Sequence, residues 1–304
     1  MTKKFYSNGK LLITGEYLVL DGAKAFAIPT KLGQDLLVTE TNSVDTLKWK
    51  SFDFDQSIWF ESAFKISDII AKPYSNKKET VATILEKILF EAHLLNPNIL
   101  TKKSFSIETH LSFPRFWGLG TSSTLINNIA QWFEINAFEL LKNSFGGSGY
   151  DIACAQNNTA LIYQLTNEKP IVEKVSFNPE FKEKIYFLYL NQKQNSKAAI
   201  ATYYSKQQNI EPVKAKIDAI TLELINTTSQ SRFEYLVQKH EILMSDVLEM
   251  STVQERFFSD FKGTIKSLGA WGGDFVLVVS DVNPKKYFEE KGFTTLLNYH
   301  EMLL

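Results

Sequence analysis

Ser7-Asn8-Gly9-Lys10-Leu11-Leu12-Ile13-Thr14-Gly15-Glu16-Tyr17 is the stretch on which the fold turns. Leu11 to Thr14 reads as a strand, and Tyr17-Leu18-Val19-Leu20 reads as a second one beyond Gly15-Glu16. Asp21-Gly22 is a turn signal after it. A lysine directly after a glycine, at the head of a buried-looking strand, is either a solvated surface charge or a cation aimed at a ligand. Taken alone, Lys10 favours the surface reading.

Three further glycine-bearing segments lie along the chain. Gly118-Leu119-Gly120-Thr121-Ser122-Ser123 falls between a strand at Ser104–Thr109 and a helix expected over Thr121–Ile135. Glycines there allow close backbone approach, and the helix start offers free N–H groups and a positive dipole end to an anion. No lysine follows, so this is not a Walker A loop. The competing reading is a strand-to-helix turn with hydroxyl caps. Gly146-Gly147-Ser148-Gly149-Tyr150-Asp151 presents an aspartate in a glycine-rich turn, either a solvated turn former or a base beside a reacting hydroxyl. Gly269-Ala270-Trp271-Gly272-Gly273-Asp274 precedes the apolar run Phe275–Val279 and reads either as a tight bend or as part of a site.

Around these segments the pattern is mixed. Thr46 to Phe64 is rich in Trp and Phe, with Asp53 and Asp55 as turn residues. A helix is expected from Val81 to Ala92, ending at Asn96-Pro97, and strands at Leu36–Thr39, Thr159–Leu165 and Ile185–Leu190. Ser196 to Phe261 is mostly helical. Segregated runs of strand and helix indicate an α+β class. The 304 residues carry 33 Lys plus Arg against 34 Asp plus Glu, a balance with no general pull toward nucleic acid or anionic lipid. Cys154 is the only cysteine, which excludes a disulfide framework and a Cys-rich zinc site. The four histidines show no metal-ligand spacing. No apolar run approaches the ~20 residues of a membrane span, and the start has no signal-peptide character. A cytoplasmic protein without membrane or nucleic-acid partners is expected. Oligomeric state stays open, a homodimer included.

The segment at 7–17, followed in order by 118–123, 147–153 and 269–274, resembles the GHMP kinases, a superfamily of small-molecule kinases. Gly15-Glu16-Tyr17-Leu18-Val19-Leu20, Trp117 and Gly147-Ser148-Gly149-Tyr150-Asp151-Ile152-Ala153 are closest to the phosphomevalonate kinase branch. Mevalonate kinase is the neighbouring alternative. The resemblance implies a ribosomal-protein-S5-like N-terminal lobe over 1–165 that binds ATP, and a ferredoxin-like C-terminal lobe over 166–304.

It also implies roles. Gly118, Leu119, Gly120, Thr121, Ser122 and Ser123 would hold ATP, and Asp151 and Lys10 would be catalytic. Ser122 and Glu139 would hold Mg2+, although an ordinary solvated helix position for Glu139 is an equal alternative. Glu16, Ser148, Gly149, Gly272, Gly273 and Asp274 would line the acceptor site. Lys193, Ser196 and Lys197, at a helix start, would meet an anionic group of the acceptor, unless they are an ordinary cap with solvated lysines. The acceptor is a small molecule, phosphomevalonate or a close relative.

Departures from the family pattern are Asn8 for Pro, Thr121 for Ser, Trp271 for Gly, and a shortened span of 29 positions from Ser122 to Asp151. A nucleotide-binding paralogue without turnover is the alternative that the shortened span and Trp271 favour. Retention of Lys10, Ser122 and Asp151 together opposes it.

Overall fold

A computed structural model describes residues 1–71, 78–101, 103–192, 196–205, 209–271 and 273–304, with backbone only at 196 and 197. The chain divides into two compact units that interleave in sequence. Unit 1 comprises 1–9, 32–115 and 119–156, and unit 2 comprises 10–31, 116–118 and 157–304.

The first two strands, β1 (Thr2–Thr14) and β2 (Ala25–Thr41), pass through both units. In unit 1, β3 (Thr46–Phe52) and β4 (Ile58–Lys65) form a hairpin. Its turn is built by the two aspartates expected there: Asp53 Oδ1 accepts the Phe54 N–H and Asp55 Oδ1 the Ser57 N–H. A short helix α1 (Ile66–Ile70) and the longer α2 (Val81–Leu95) follow. Then β5 (Ser104–Leu111) pairs antiparallel with β2, from Gln34 opposite Leu111 to Thr41 opposite Ser104, and parallel with β3. Helices α3 (Thr121–Phe133), α4 (Ala137–Ser144) and α5 (Tyr150–Gln156) complete the unit. Trp49, Phe105, Ile107, Leu89, Ile129 and Phe133 fill its core. The apolar positions of α2 fall at helical spacing on one side, which is why it packs there. Thr80 caps its start through a reciprocal bond with Thr83.

In unit 2, the first residues of β2 pair with β6 (Leu161–Thr166), which pairs in turn with β7 (Lys169–Lys174). A second sheet has the order β11-β8-β10-β9, made of β8 (Ile185–Tyr189), β9 (Thr264–Ser267), β10 (Phe275–Val279) and β11 (Leu296–Asn298), with all pairs antiparallel. The helices are α6 (Ser196–Ser205), α7 (Glu211–Asn226), α8 (Gln230–Leu248), α9 (Val253–Phe257), α10 (Lys285–Glu290) and α11 (Tyr299–Met302). β10 is buried at every position, as a central strand covered on both faces must be.

The expected α+β class holds, with one local exception. Tyr17–Leu20 is not a strand. Leu18–Asp21 is a 3-10 turn, entered through Gly15 at φ +86 and Tyr17 at φ +61. Leu18 and Val19 are both buried side by side, which an alternating strand at a surface does not allow. Two positive-φ residues in three positions break the extension, and the run closes with bonds from Val19 N–H to Gly15 O and from Leu20 N–H to Tyr17 O. Among the described residues no helix is long and apolar enough to cross a membrane.

Candidate active site

Within unit 2 three distant sequence segments meet. Lys10, half-buried on β1, donates from Nζ to the Gly118 carbonyl at 2.8 Å. Gly118 sits at φ +69, and a β-carbon there would lie 2.2 Å from Asp274 Oδ2 and 2.3 Å from Asp274 Cγ. The aspartate carboxylate is thus laid directly on the glycine Cα, a contact that only glycine permits. Asp274 is itself held by its backbone. Its N–H donates to Gln192 O at 2.6 Å, and its carbonyl accepts the Leu190 N–H at 2.8 Å. Trp117 braces the same turn with its ring edge-on to Phe275, centroids 5.3 Å apart, and Tyr189 donates its hydroxyl to Phe116 O. Tyr17 and Tyr189 hydroxyls are pushed up in pKa by burial, with the Asp274 charge adding to it. Both stay protonated at physiological pH.

In unit 1, α3 begins at Gly120, in the left-handed region at φ 96 and ψ 39, and no side chain caps it. The hydroxyl-cap alternative therefore does not describe this helix start. Ser123 is buried and spends its hydroxyl on the Gly120 carbonyl at 2.8 Å, while Thr124 donates to Gln34 Oε1 at 2.8 Å. Thr121 reaches back to Arg115 O at 3.5 Å. Ser122 is exposed, and Leu119 is buried beneath the loop. A helix start with its first N–H groups unserved by a side chain is a ready acceptor of a phosphate group.

Asp151 stands in the first turn of α5, half-buried, its Oδ1 accepting the Ile152 N–H at 3.0 Å. Gly146, Gly147 and Gly149 before it all have positive φ, so the glycine run is required by the turn's backbone. Ser148 is half-buried and Gly149 buried. Glu139 is exposed in the first turn of α4, where Asn136 supplies the cap. Lys193 and Gly272 lie outside the described residues, as do the side chains of Ser196 and Lys197. Gly273 is buried.

Glu16 is placed differently from an open ligand contact. It is 1% exposed, and its Oε1 takes the ammonium of the fully buried Lys266 at 2.5 Å. His240 Nε2 lies 3.2 Å from the other oxygen, and Glu241 lies 4.0 Å from Lys266. Glu241 also accepts the Ser267 N–H and hydroxyl. Burial, only partly offset by Lys266, raises the Glu16 carboxyl to about 7. Burial and then the Lys266 charge hold His240 well below the usual imidazole range. Sequence reasoning missed Lys266 and His240. One apolar-flanked lysine in a strand and one histidine in a helix carry no local signal of each other.

Solved structures resemble the whole chain. Methanococcus jannaschii mevalonate kinase is 17% identical and covers 98% of each chain at a TM-score of 0.71. Streptococcus pneumoniae phosphomevalonate kinase, solved in complex with phosphomevalonate and AMPPNP, is 15% identical, with coverage of 98% of this chain and 99% of that one and a TM-score of 0.72. The chain has the GHMP kinase fold. Lactococcus lactis galactokinase, complexed with galactose, is similar at 12% identity and a TM-score of 0.68, over 95% of this chain and 88% of that one. No protein-family model and no curated protein matches the sequence. At these identities the kinship is one of fold.

Proposed function

We propose that the chain is an ATP-dependent kinase that transfers the γ-phosphoryl group to phosphomevalonate or a closely related small-molecule acceptor. The observation that carries the reading is the convergence of Lys10, Gly118 and Asp274, one from each of three glycine segments, in a chain with the GHMP kinase fold. Packing for its own sake would not need a lysine, a bare Cα and a carboxylate on one spot.

Phosphoryl transfer asks a protein for position and charge more than for covalent chemistry. The uncapped start of α3, with Gly120 and the N–H groups of Thr121 to Ser123, would cradle the triphosphate. Lys10 would neutralise charge that develops on the transferring group. The acceptor oxygen attacks the γ-phosphorus, the bond to the β,γ-bridging oxygen breaks, and ADP leaves. When the acceptor is a hydroxyl, its proton passes to Asp151 as base. When it is an ionised phosphate, no proton needs removal, and Asp151 orients the acceptor. Ser148, Gly149, Gly273 and Asp274 would line the acceptor side, with Glu16 contributing through the turn it anchors.

The donor set suits magnesium. Ser122 offers an exposed hydroxyl and Glu139 an exposed carboxylate, and among the described residues no group of three or more His, Cys, Asp and Glu forms a closed cage. Mg2+ keeps several waters and takes phosphate oxygens, so one or two protein donors suffice. Bound there, it would supply charge neutralisation of the phosphates.

Lys193 and Lys197, flanking Ser196, are proposed to meet the acceptor's own anionic group. Lys193→Ala with Lys197→Ala should raise KM for phosphomevalonate roughly tenfold to a hundredfold and leave KM for ATP in place. Efficient phosphorylation of mevalonate with no use of phosphomevalonate would move the assignment to mevalonate kinase. The non-catalytic alternative is favoured by one observation: Trp271 is buried and its backbone N–H is already spent on the Tyr17 hydroxyl at 3.3 Å. Nucleotide binding without acceptor-dependent ADP release would establish it.

A further inference from the structure

Two claimants face one nitrogen inside unit 2. The Gly15 N–H donates to His240 Nε2 at 3.1 Å, and Glu16 Oε2 lies 3.2 Å from the same atom. His240 is wholly buried and Glu16 is 1% exposed. Glu16 Oε2 and His240 Nδ1 have no hydrogen-bond partner, so the approach of Oε2 to Nε2 is close without being a hydrogen bond in this arrangement, and Nε2 is taken by the Gly15 N–H. A neutral imidazole nitrogen either accepts or donates and cannot do both. If Nε2 accepts from Gly15, the ring proton is on Nδ1, and Glu16 Oε2 must carry a proton of its own to avoid setting two lone pairs together. If Nε2 carries the proton, it donates to an ionised Glu16, and the Gly15 amide loses its acceptor. A charged ring would satisfy neither arrangement, since the Gly15 N–H would still have no acceptor.

The turn served by this nitrogen has little slack. A β-carbon at Gly15 would lie 2.8 Å from both Ala25 Cα and Lys24 O. Tyr17 is held at positive φ, and its hydroxyl accepts the Trp271 N–H. The state of the turn is therefore passed to the third glycine segment. The titratable and charged groups facing Glu16 are Lys266 from β9, His240 and Glu241 from α8, and Tyr17 from the turn itself. Lys266 bonds the other carboxylate oxygen and its charge favours the ionised Glu16, while burial favours the neutral one, so the two oppose each other in choosing between the arrangements.

We propose that His240 is a positioning residue that switches tautomer with the charge of Glu16. With Glu16 neutral, Nε2 accepts the Gly15 N–H and fixes the Gly15–Tyr17 turn. On ionisation the cluster as a whole loses one proton: the ring proton ends on Nε2 facing an ionised Glu16, Nδ1 is left bare, and the Gly15 amide is released. The ring stays neutral throughout. A raised Glu16 carboxyl, near 7, places the change at physiological pH. The consequence for turnover rests on the kinase reading; the proton arrangement does not.

Imidazole 15N resonances of the full-length chain, followed from about pH 5.5 to 9, test the proposal without ATP or acceptor. The His240 ring should pass from the Nδ1–H to the Nε2–H tautomer, and exchange protection of the Gly15 amide should drop over the same range. In Glu16→Gln the ring should hold one tautomer throughout. His240→Gln can accept from Gly15 and donate to Glu16 at once, so its Gly15 protection should lose the pH step. A single tautomer across the range in wild type, an imidazolium ring, or an unchanged transition in either variant would overturn the switch. Absence of turnover beside an intact tautomer transition would count against the kinase reading alone.

Discussion

Gly118→Ala tests the contact on which the site is built. An alanine held at φ +69 pays about 1–2 kcal/mol for the left-handed conformation. Its β-carbon would meet Asp274 Oδ2 at 2.2 Å and Cγ at 2.3 Å, distances that no relaxed contact reaches. The Asp274 backbone has no room to yield, because Gln192 and Leu190 fix it on both sides and its own φ is +55. The carboxylate must therefore rotate off the glycine, at a further ~0.5–1.5 kcal/mol of rotamer strain. The sum is about 1.5–3.5 kcal/mol. Urea titration followed by tryptophan fluorescence reads it, since Trp117 packs on Phe275 beside the substituted position. A double-mutant cycle with Asp274→Ala separates the two parts. Removing the carboxylate should return the rotamer share and leave the backbone share, a coupling of roughly 0.5–1.5 kcal/mol. A Gly118→Ala protein within about 0.5 kcal/mol of wild type, or a cycle with no coupling, would refute the packing described.

Other outcomes follow from the same geometry. Gly120→Val places a β-branched residue at φ +96 in front of the uncapped α3 start. It should weaken Mg-ATP binding at least tenfold by calorimetry while the far-ultraviolet circular dichroism is kept. Asp151→Asn should leave nucleotide affinity near wild type and lower turnover by about 10²-fold or more, read in a coupled ADP assay. The Glu16 carboxyl, raised by burial from 4.5 to about 7, contributes stability that is complete below pH 4.5 and lost as pH rises through 7. Measured against Glu16→Gln, wild type should lose about 3 kcal/mol across that window. A flat difference with pH would place the carboxyl's ionisation elsewhere.

Much of this was legible from residue patterns, and the failures have physical causes. The turn between β3 and β4 was legible in Asp53 and Asp55 within an aromatic-rich run, and α2 in its apolar spacing, because those signals are local. Tyr17–Leu20 misled because four apolar residues look alike in a strand and in a 3-10 turn. The deciding term was the positive φ at Gly15 and Tyr17, and an aromatic residue does not announce a positive φ. β7 and β9 were unread: Lys169–Lys174 is an exposed edge with a proline, and Thr264–Ser267 is too short to show a period. At the site, the family resemblance of the glycine segments pointed to Gly118 and Asp274 separately. That one lies on the other is a property of the third dimension. The Glu16–Lys266–His240 cluster joins positions 250 and 224 residues apart in sequence, and nothing along the chain announces it.

The most direct test of the central claim is acceptor-dependent ADP formation by the purified full-length chain with Mg-ATP, with phosphomevalonate and mevalonate offered separately and the products identified by 31P NMR. The account predicts ADP release that depends on phosphomevalonate, with a matching new diphosphate signal, and loss of both in Asp151→Asn. Mg-ATP binding with no acceptor-dependent ADP release from either compound would contradict it.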